Sequence, residues 1–240
     1  MQWAAYGVKY RRSTDFIFPG TLLIHGQRIQ IKFPNATSRE FLYEFDQICL
    51  QDCYRLTELK NKLKNIQNIV DVGANQGIFA IAARRHFPTA SISCYEPNIN
   101  LKTILDHNAS ALNVRTYYEA VTKEDCKVEL HFGETDLHTV SKQADDGTVS
   151  GTSLETVITR AQPKIDILKL DCEGAEWELL EDTESWQKIN AVTMEYHLWA
   201  KPNSSYEELS ARFEELGFYI IYHKALSNTF GLLTAVRKRS

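Results

Sequence analysis

Ile69 to Ala80 reads IVDVGANQGIFA, and the architecture can be read outward from it. Ile69, Val70, Asp71 and Val72 make a short, largely β-branched run that stops at Gly73, the signature of a strand running into a tight turn. Ile78 to His86 is Ala-rich and apolar, suits a helix, and ends before Pro88. The same rhythm continues outward. Ser91 to Tyr95 is the next strand; Leu101, Ile104, Leu105, Ala109 and Leu112 recur at helical spacing; Val114 to Tyr118 is a third strand. After Lys123 the rhythm breaks: Val128 to Phe132 reads as a strand, and Gly133 to Gly151 as a polar loop. It returns with a helix at Leu154–Ala161, a strand at Ile165–Leu170, a helix at Glu176–Ile189 and a strand at Ala191–Tyr196. Ser204 and Glu207 have capping-box spacing before a helix that stops at Gly217. Phe218–His223 and Thr229–Val236 close the chain as two strands. Strands alternating with helices imply an α/β fold, a mainly parallel sheet with helices on both faces.

Upstream the texture differs. Thr21 to Phe33 (TLLIHGQRIQIKF) alternates around Gly26 as a hairpin would, while Phe41 to Leu56 (FLYEFDQICLQDCYRL) is aromatic and acidic without a clear period. Residues 1–55 are therefore expected to form an N-terminal extension, hairpin plus cap, on a domain spanning 56–240. Selectivity is expected to lie in residues 1–60 and in the Gly133–Gly151 loop.

Composition narrows the function. The 240 residues are 43% hydrophobic and 24% charged, ordinary for a globular chain. A net charge of −4, from 27 basic and 31 acidic side chains, argues against a protein built to grip nucleic-acid phosphates. No apolar run approaches the roughly 18 residues of a membrane helix, and no secretory signal is evident. The five cysteines form no C-x-x-C pair, and the third cysteine that the Cys49/Cys53 spacing of an iron–sulfur radical motif would require is Leu56. Reduced thiols in the cytoplasm are the simpler reading.

Ligands of doubly wound sheets bind at the carboxyl ends of the strands, which directs attention to five segments. In Asp71–Gly77 the dinucleotide pattern G-x-G-x-x-G fails because Asn75 stands at its second glycine, denying a pyrophosphate its close approach. What remains suits a ligand with an ammonium group and no phosphate. Glu96, ending the second strand, can accept from both hydroxyls of a ribose; Pro97 fixes the backbone after it, and Asn98 caps the next helix. Glu119-Ala120-Val121 lies where an adenine would rest. In Lys169-Leu170-Asp171-Cys172-Glu173-Gly174-Ala175-Glu176, alternation puts Lys169, Asp171 and Glu173 on one face if the strand persists, and so many charges at its end point to a solvent-facing site. Glu195 and His197 share a face at the end of the fifth strand, and an imidazole titrating near pH 6.5 makes His197 a candidate base. The acids have the chemistry to hold a divalent metal such as magnesium, but no spacing demands one.

Together IVDVGANQGIFA, SCYEPN, YEAV, ILKLDCEGAEWELL and VTMEYH resemble the FkbM family of S-adenosylmethionine-dependent methyltransferases, over residues 50–200. Lys169, Asp171, Glu173, Gly174, Ala175 and Glu176 fit the specific K-x-D-x-E-G-A-E motif. Glu155 stands where an Asp is more usual, and Cys172 replaces a Val or Ile. The resemblance implies a Rossmann-like, seven-stranded class I methyltransferase sheet with a C-terminal antiparallel hairpin. It implies methyl transfer to a hydroxyl of a sugar or polyketide-like small molecule. Carried over by position, Asp71, Gly73, Ala74, Asn75 and Gly77 would line the methionine part of the cofactor. Glu96, with Pro97 and Asn98, would hold the ribose, and Glu119 and Ala120 would border the adenine. An alcohol must lose a proton during transfer, which assigns a base to His197 or Asp171, with Glu173, Glu195 and Lys169 around the acceptor. Two other functions fit a doubly wound sheet: an NAD-dependent oxidoreductase, disfavoured by Asn75, and a catalytically inactive scaffold.

Overall fold

The computed structural model describes residues 3–9, 18–33, 39–132, 139–144, 146–162 and 164–238. The hairpin is present as β1 (Thr21–Ile24) and β2 (Gln27–Gln30), turning through His25 and Gly26 at positive φ. The aperiodic segment is α1 (Arg39–Phe45) running straight into one π-helical turn, Asp46–Leu50, then α2 (Leu56–Lys62). A π turn shifts the side-chain phase of a helix, so no single period describes it.

Next come β3 (Asn68–Val72), α3 (Ile78–His86), β4 (Ser91–Tyr95), α4 (Lys102–Leu112), β5 (Arg115–Tyr117), β6 (Ala120–Thr122) and β7 (Cys126–Phe132). The chain continues with β8 (Thr139–Gln143), β9 (Val149–Ser153), α5 (Leu154–Ala161), β10 (Ile167–Leu170), α6 (Glu176–Leu179) and α7 (Thr183–Trp186). It ends with β11 (Ala191–His197), α8 (Tyr206–Glu215), β12 (Phe218–Ala225) and β13 (Phe230–Arg237).

Seven strands form one sheet in the order β12-β13-β11-β10-β3-β4-β5. From β5 to β11 neighbours are parallel, while β13 is antiparallel to both β11 and β12. The expected α/β architecture with its terminal antiparallel hairpin is therefore the observed one. Adjacent residues of β3 serve opposite faces. Ile69 packs with α3, the hairpin and the aromatic residues Tyr6, Phe18, Phe41 and Phe45. Val70 and Val72 pack with Val157, Trp186 and Phe213 on the other side. The strand order reverses around β3, with β4 on one side and β10 on the other, and the crevice opens there. The N-terminal residues thus share one continuous apolar cluster with α3 rather than forming a separate core. Among the described residues, no helix is long and apolar enough to cross a membrane, and all five cysteines are free thiols.

Three expectations change. The Gly133–Gly151 stretch is not all loop: β8 and β9 pair with β7, and β9 with β6, in a second, four-stranded sheet ordered β6-β9-β7-β8. Residues 133–138 and 145 lie outside the described residues. Strands such as VSGTS bury few apolar side chains, so the hydrophobic alternation that announces a strand is missing. The single helix expected at Glu176–Ile189 is two short turns. Asp182 caps the second by accepting from the Ser185 N–H at 3.1 Å, and the Trp186 indole donates to the Leu179 carbonyl at 2.7 Å. The last helix is capped by Ser205, whose hydroxyl accepts from the Glu208 N–H at 3.2 Å, one residue later than the Ser204–Glu207 spacing suggests.

Candidate functional site

At the end of β3 the chain turns through Gly73 with φ +75°, and a Cβ there would stand 1.8 Å from the Asp171 carbonyl oxygen. Only glycine lets the loops after β3 and β10 touch in this way. Asn75, also left-handed at φ +47°, donates its backbone N–H to Glu96 Oε2 at 2.8 Å, and the Asn98 N–H donates to Glu96 Oε1 at 2.9 Å. Burial raises the Glu96 pKa and these two backbone donors oppose the rise. Each carboxylate oxygen keeps a further lone pair for a ligand hydroxyl.

These loops frame a cleft with a volume of about 240 Å³. Gly73, Ala74, Asn75, Glu96, Pro97, Glu119 and Ala120 line it, as do Lys169, Asp171, Glu173 and Glu195. Among the described residues, Asn75 Oδ1 is buried there without a hydrogen-bond partner, a polar atom suited to a ligand donor. At the far end Tyr95 and Tyr117 stack with centroids 4.7 Å apart. Arg160 lies over Tyr117 and grips Glu119 at 2.5 Å. No local pattern marks Arg160, which arrives from α5, 41 residues beyond its partner.

Three cofactor-side expectations shift in place. Asp71 does not line the cleft. It is fully buried behind it, 3.2 Å from the Lys169 ammonium and accepting from Cys94 Sγ at 3.7 Å. Gly77 caps α3, and Asn98 accepts from the Asn100 N–H at 3.1 Å, so both shape the loops from outside the cleft wall.

Lys169 is buried rather than solvent-facing. Its ammonium donates to the Gly73 carbonyl at 2.7 Å and the Val72 carbonyl at 3.2 Å, and lies 3.6 Å from Asp171 Oδ2. Burial disfavours its charge, but Asp71 and Asp171 outweigh that and raise its pKa. The same ammonium partly offsets the rise that burial imposes on Asp71. Lys169 is thus a clamp between two strand ends. The strand that carries it stops at Leu170, and Glu173 and Gly174 turn at φ +52° and +104°. The alternation argument fails beyond Leu170, yet the turn returns Glu173 to the Asp171 side.

His197 is buried. Its Nδ1 is 3.1 Å from Glu176 Oε1, and its Nε2 lies 3.7 Å from Glu173 and 3.6 Å from Glu195. Burial alone would lower its pKa, but hydrogen bonds to Glu176 and Glu195 override it and hold the ring up at about 11. At neutral pH it is an imidazolium, so the sequence-based base role does not fit it. Glu176 was legible as the last acid of the motif but not as an orienting partner; its Oε1 also accepts from the Cys172 N–H at 3.1 Å. Burial raises the Glu195 carboxyl, with His197 pulling against the rise.

The ligand atoms of Asp171, Glu173 and His197 lie within 4.8 Å of one another, close enough to hold a cation. The imidazolium already supplies positive charge to that cluster, and a metal would have to displace its proton.

The folded-state pKa of His197 lies above its ordinary 6.5, so the stabilisation from this shift is whole below pH 6.5 and is lost as pH rises toward 11. Melts of the wild type and Glu176→Gln should differ most on the acid side of that window and converge through it. A constant gap up to about pH 10 would contradict the raised value.

Comparison with known proteins bears on the family and the fold. Residues 71–220 match the family model described as Methyltransferase FkbM domain. "Methyltransferase sdnD" of Sordaria araneosa is 24% identical over 262 residues, covering 90% of this chain and 96% of that protein. "Methyltransferase 1" of Beauveria bassiana (strain ARSEF 2860) is 23% identical over 186 residues, covering 65% and 72%. Among solved structures, magnesium protoporphyrin IX methyltransferase from Synechocystis PCC 6803, with bound SAM, aligns at a TM-score of 0.52 and 9% identity over 86% of each chain. At that identity the likeness speaks for the fold. The family match spans the glycine turn, Glu96, the Lys169–Glu176 motif and His197. This chain is a member of the FkbM methyltransferase family.

Proposed function

We propose that the chain is an S-adenosylmethionine-dependent O-methyltransferase acting on a neutral, hydroxylated small molecule with an apolar body. The observation that carries the reading is the position of Asp171. It lines the cleft with 28% of its side chain exposed, beside Glu173 and Glu195.

The residues fit the cofactor. Glu96 has lone pairs for the ribose hydroxyls. Asn75 Oδ1 is an acceptor with no partner among the described residues, and Ala120, Val121 and Leu101 offer an apolar wall beside Glu119. When bound, S-adenosylmethionine supplies a methyl group already activated by its sulfonium. The chain's task is then to align the acceptor oxygen and receive its proton. Among the described residues, both close contacts of Asp171 fall on Oδ2, leaving Oδ1 for the acceptor hydroxyl. Glu173 and Glu195 orient the acceptor; His197, protonated, holds both in place.

The acceptor side is walled by Tyr43, Ile48, Leu226 and Leu232, with Glu44 and Gln47. Apolar walls favour a polyketide-like body over a bare sugar, and the acids repel phosphorylated or carboxylated acceptors. An ordinary alcohol needs a base far more than an amine does, which favours oxygen as the methylated atom.

The test is calorimetry with S-adenosylhomocysteine and NAD, then labelled cofactor with a panel of hydroxylated acceptors and location of the methyl. Binding of S-adenosylhomocysteine but not NAD, weakened at least tenfold by Glu96→Ala, is expected, with the methyl on oxygen. Transfer confined to nitrogen or carbon would refute the O-methyl reading, and no transfer to any acceptor would favour an inactive scaffold.

A further inference from the structure

We infer that Tyr54, contributed by the N-terminal segment, is a positioning residue for the base Asp171, so that the extension completes the catalytic centre. The inference rests on the reading of Asp171 as the base. Its grounds are geometric. The Tyr54 hydroxyl donates to Asp171 Oδ2 at 3.0 Å across 117 residues of sequence. Its ring stands edge-on to Phe79 at 5.4 Å and is buried.

The backbone delivers this side chain through unusual conformations. The π-helical turn Asp46–Leu50 precedes it, and Asp52 and Arg55 flank it at φ +53° and +56°. Neither is glycine, so both positions carry a steric cost. Asp52 partly offsets it, accepting from the Leu56 N–H at 2.7 Å and the Thr57 N–H at 2.9 Å at the start of α2. A merely space-filling tyrosine would not need its hydroxyl on a carboxylate lining the cleft.

The hydroxyl and the Lys169 ammonium converge on one oxygen of Asp171 and restrict its rotation. Burial, and then the neighbouring Asp171 charge, raise the Tyr54 pKa well above 10, so the phenol stays a donor throughout the working range. Lys169, Asp71, Glu195 and His197 also act electrostatically on this carboxylate, and Glu173 stands beside it.

The test is a cycle of Tyr54→Phe, Asp171→Asn and the double variant in the full chain, with S-adenosylhomocysteine binding as the check on folding. Tyr54→Phe keeps the ring against Phe79. It should lower kcat about ten- to a hundredfold, the range for a hydrogen bond to a charged group. S-adenosylhomocysteine affinity should stay within about threefold. The acceptor KM should stay within about threefold, so that the loss falls on kcat. In the Asp171→Asn background, Tyr54→Phe should add nothing. An unmoved kcat beside an inactive Asp171→Asn would overturn the Tyr54 role alone. Parallel loss of cofactor binding and kcat would make Tyr54 structural and overturn it too. Full turnover in Asp171→Asn would remove the base reading and the inference with it.

Discussion

Asp171→Asn should lower kcat by about two to four orders of magnitude, the usual contribution of a general base, while S-adenosylhomocysteine still binds. Asparagine keeps the size of the side chain and can still accept from the Tyr54 hydroxyl and lie near the Lys169 ammonium. What it cannot do is take a proton. The loss should therefore appear in single-turnover rates with bound cofactor, not in the affinity for it. His197 cannot substitute, because Glu176 and Glu195 hold its ring protonated to about pH 11. Glu195, whose carboxyl is raised by burial, is the group best placed to carry residual activity. Unchanged turnover in Asp171→Asn would end the case for this residue as the base.

Lys169→Met should destabilise the protein by about 3–5 kcal/mol, the cost of removing one partner from a buried charge cluster. For a chain of this size that is a fall in Tm of about 6–20 °C. Lys169 binds two backbone carbonyls after β3 and faces Asp71 and Asp171. Methionine replaces its volume but leaves the fully buried Asp71 without a countercharge. Adding Asp71→Asn to Lys169→Met should recover part of the lost stability, because a neutral amide is cheaper to bury than an unpaired carboxylate. Thermal melts of the single and double variants read this directly. Equal Tm values for wild type and Lys169→Met would show that the ammonium does not hold the two loops together. Cofactor affinity should fall with stability, since the loop carrying Gly73 to Asn75 loses its anchor.

Much of the site was legible because its residues lie at strand ends, which an α/β rhythm marks in advance. Glu96, Asp171, Glu173 and Glu195 line one cleft as their positions after strands implied. Asp71 and Lys169 were legible as important residues but not in place. A linear pattern does not tell a charge facing solvent from one buried against an opposite charge on the next strand. His197 was found by its position, while its protonation state depends on Glu176, whose approach requires the turn at Glu173 and Gly174. The pairings of Tyr54 and Arg160 were not legible, because their partners are 117 and 41 residues away and neither belongs to a recognisable spacing.

The alternation of strands and helices, the glycine turn after the first parallel strand and the family motif are all written in the linear chain. Each is a local property, set by side-chain period, permitted φ and ψ, and adjacent residue types. Which charges pair was settled by folding. It set Lys169 between two loops, His197 among three carboxylates, and the tyrosine of a non-periodic N-terminal segment against the base. Ion pairs and hydrogen bonds depend on distances of a few ångströms between segments remote in the chain, and those distances exist only once the sheet has formed.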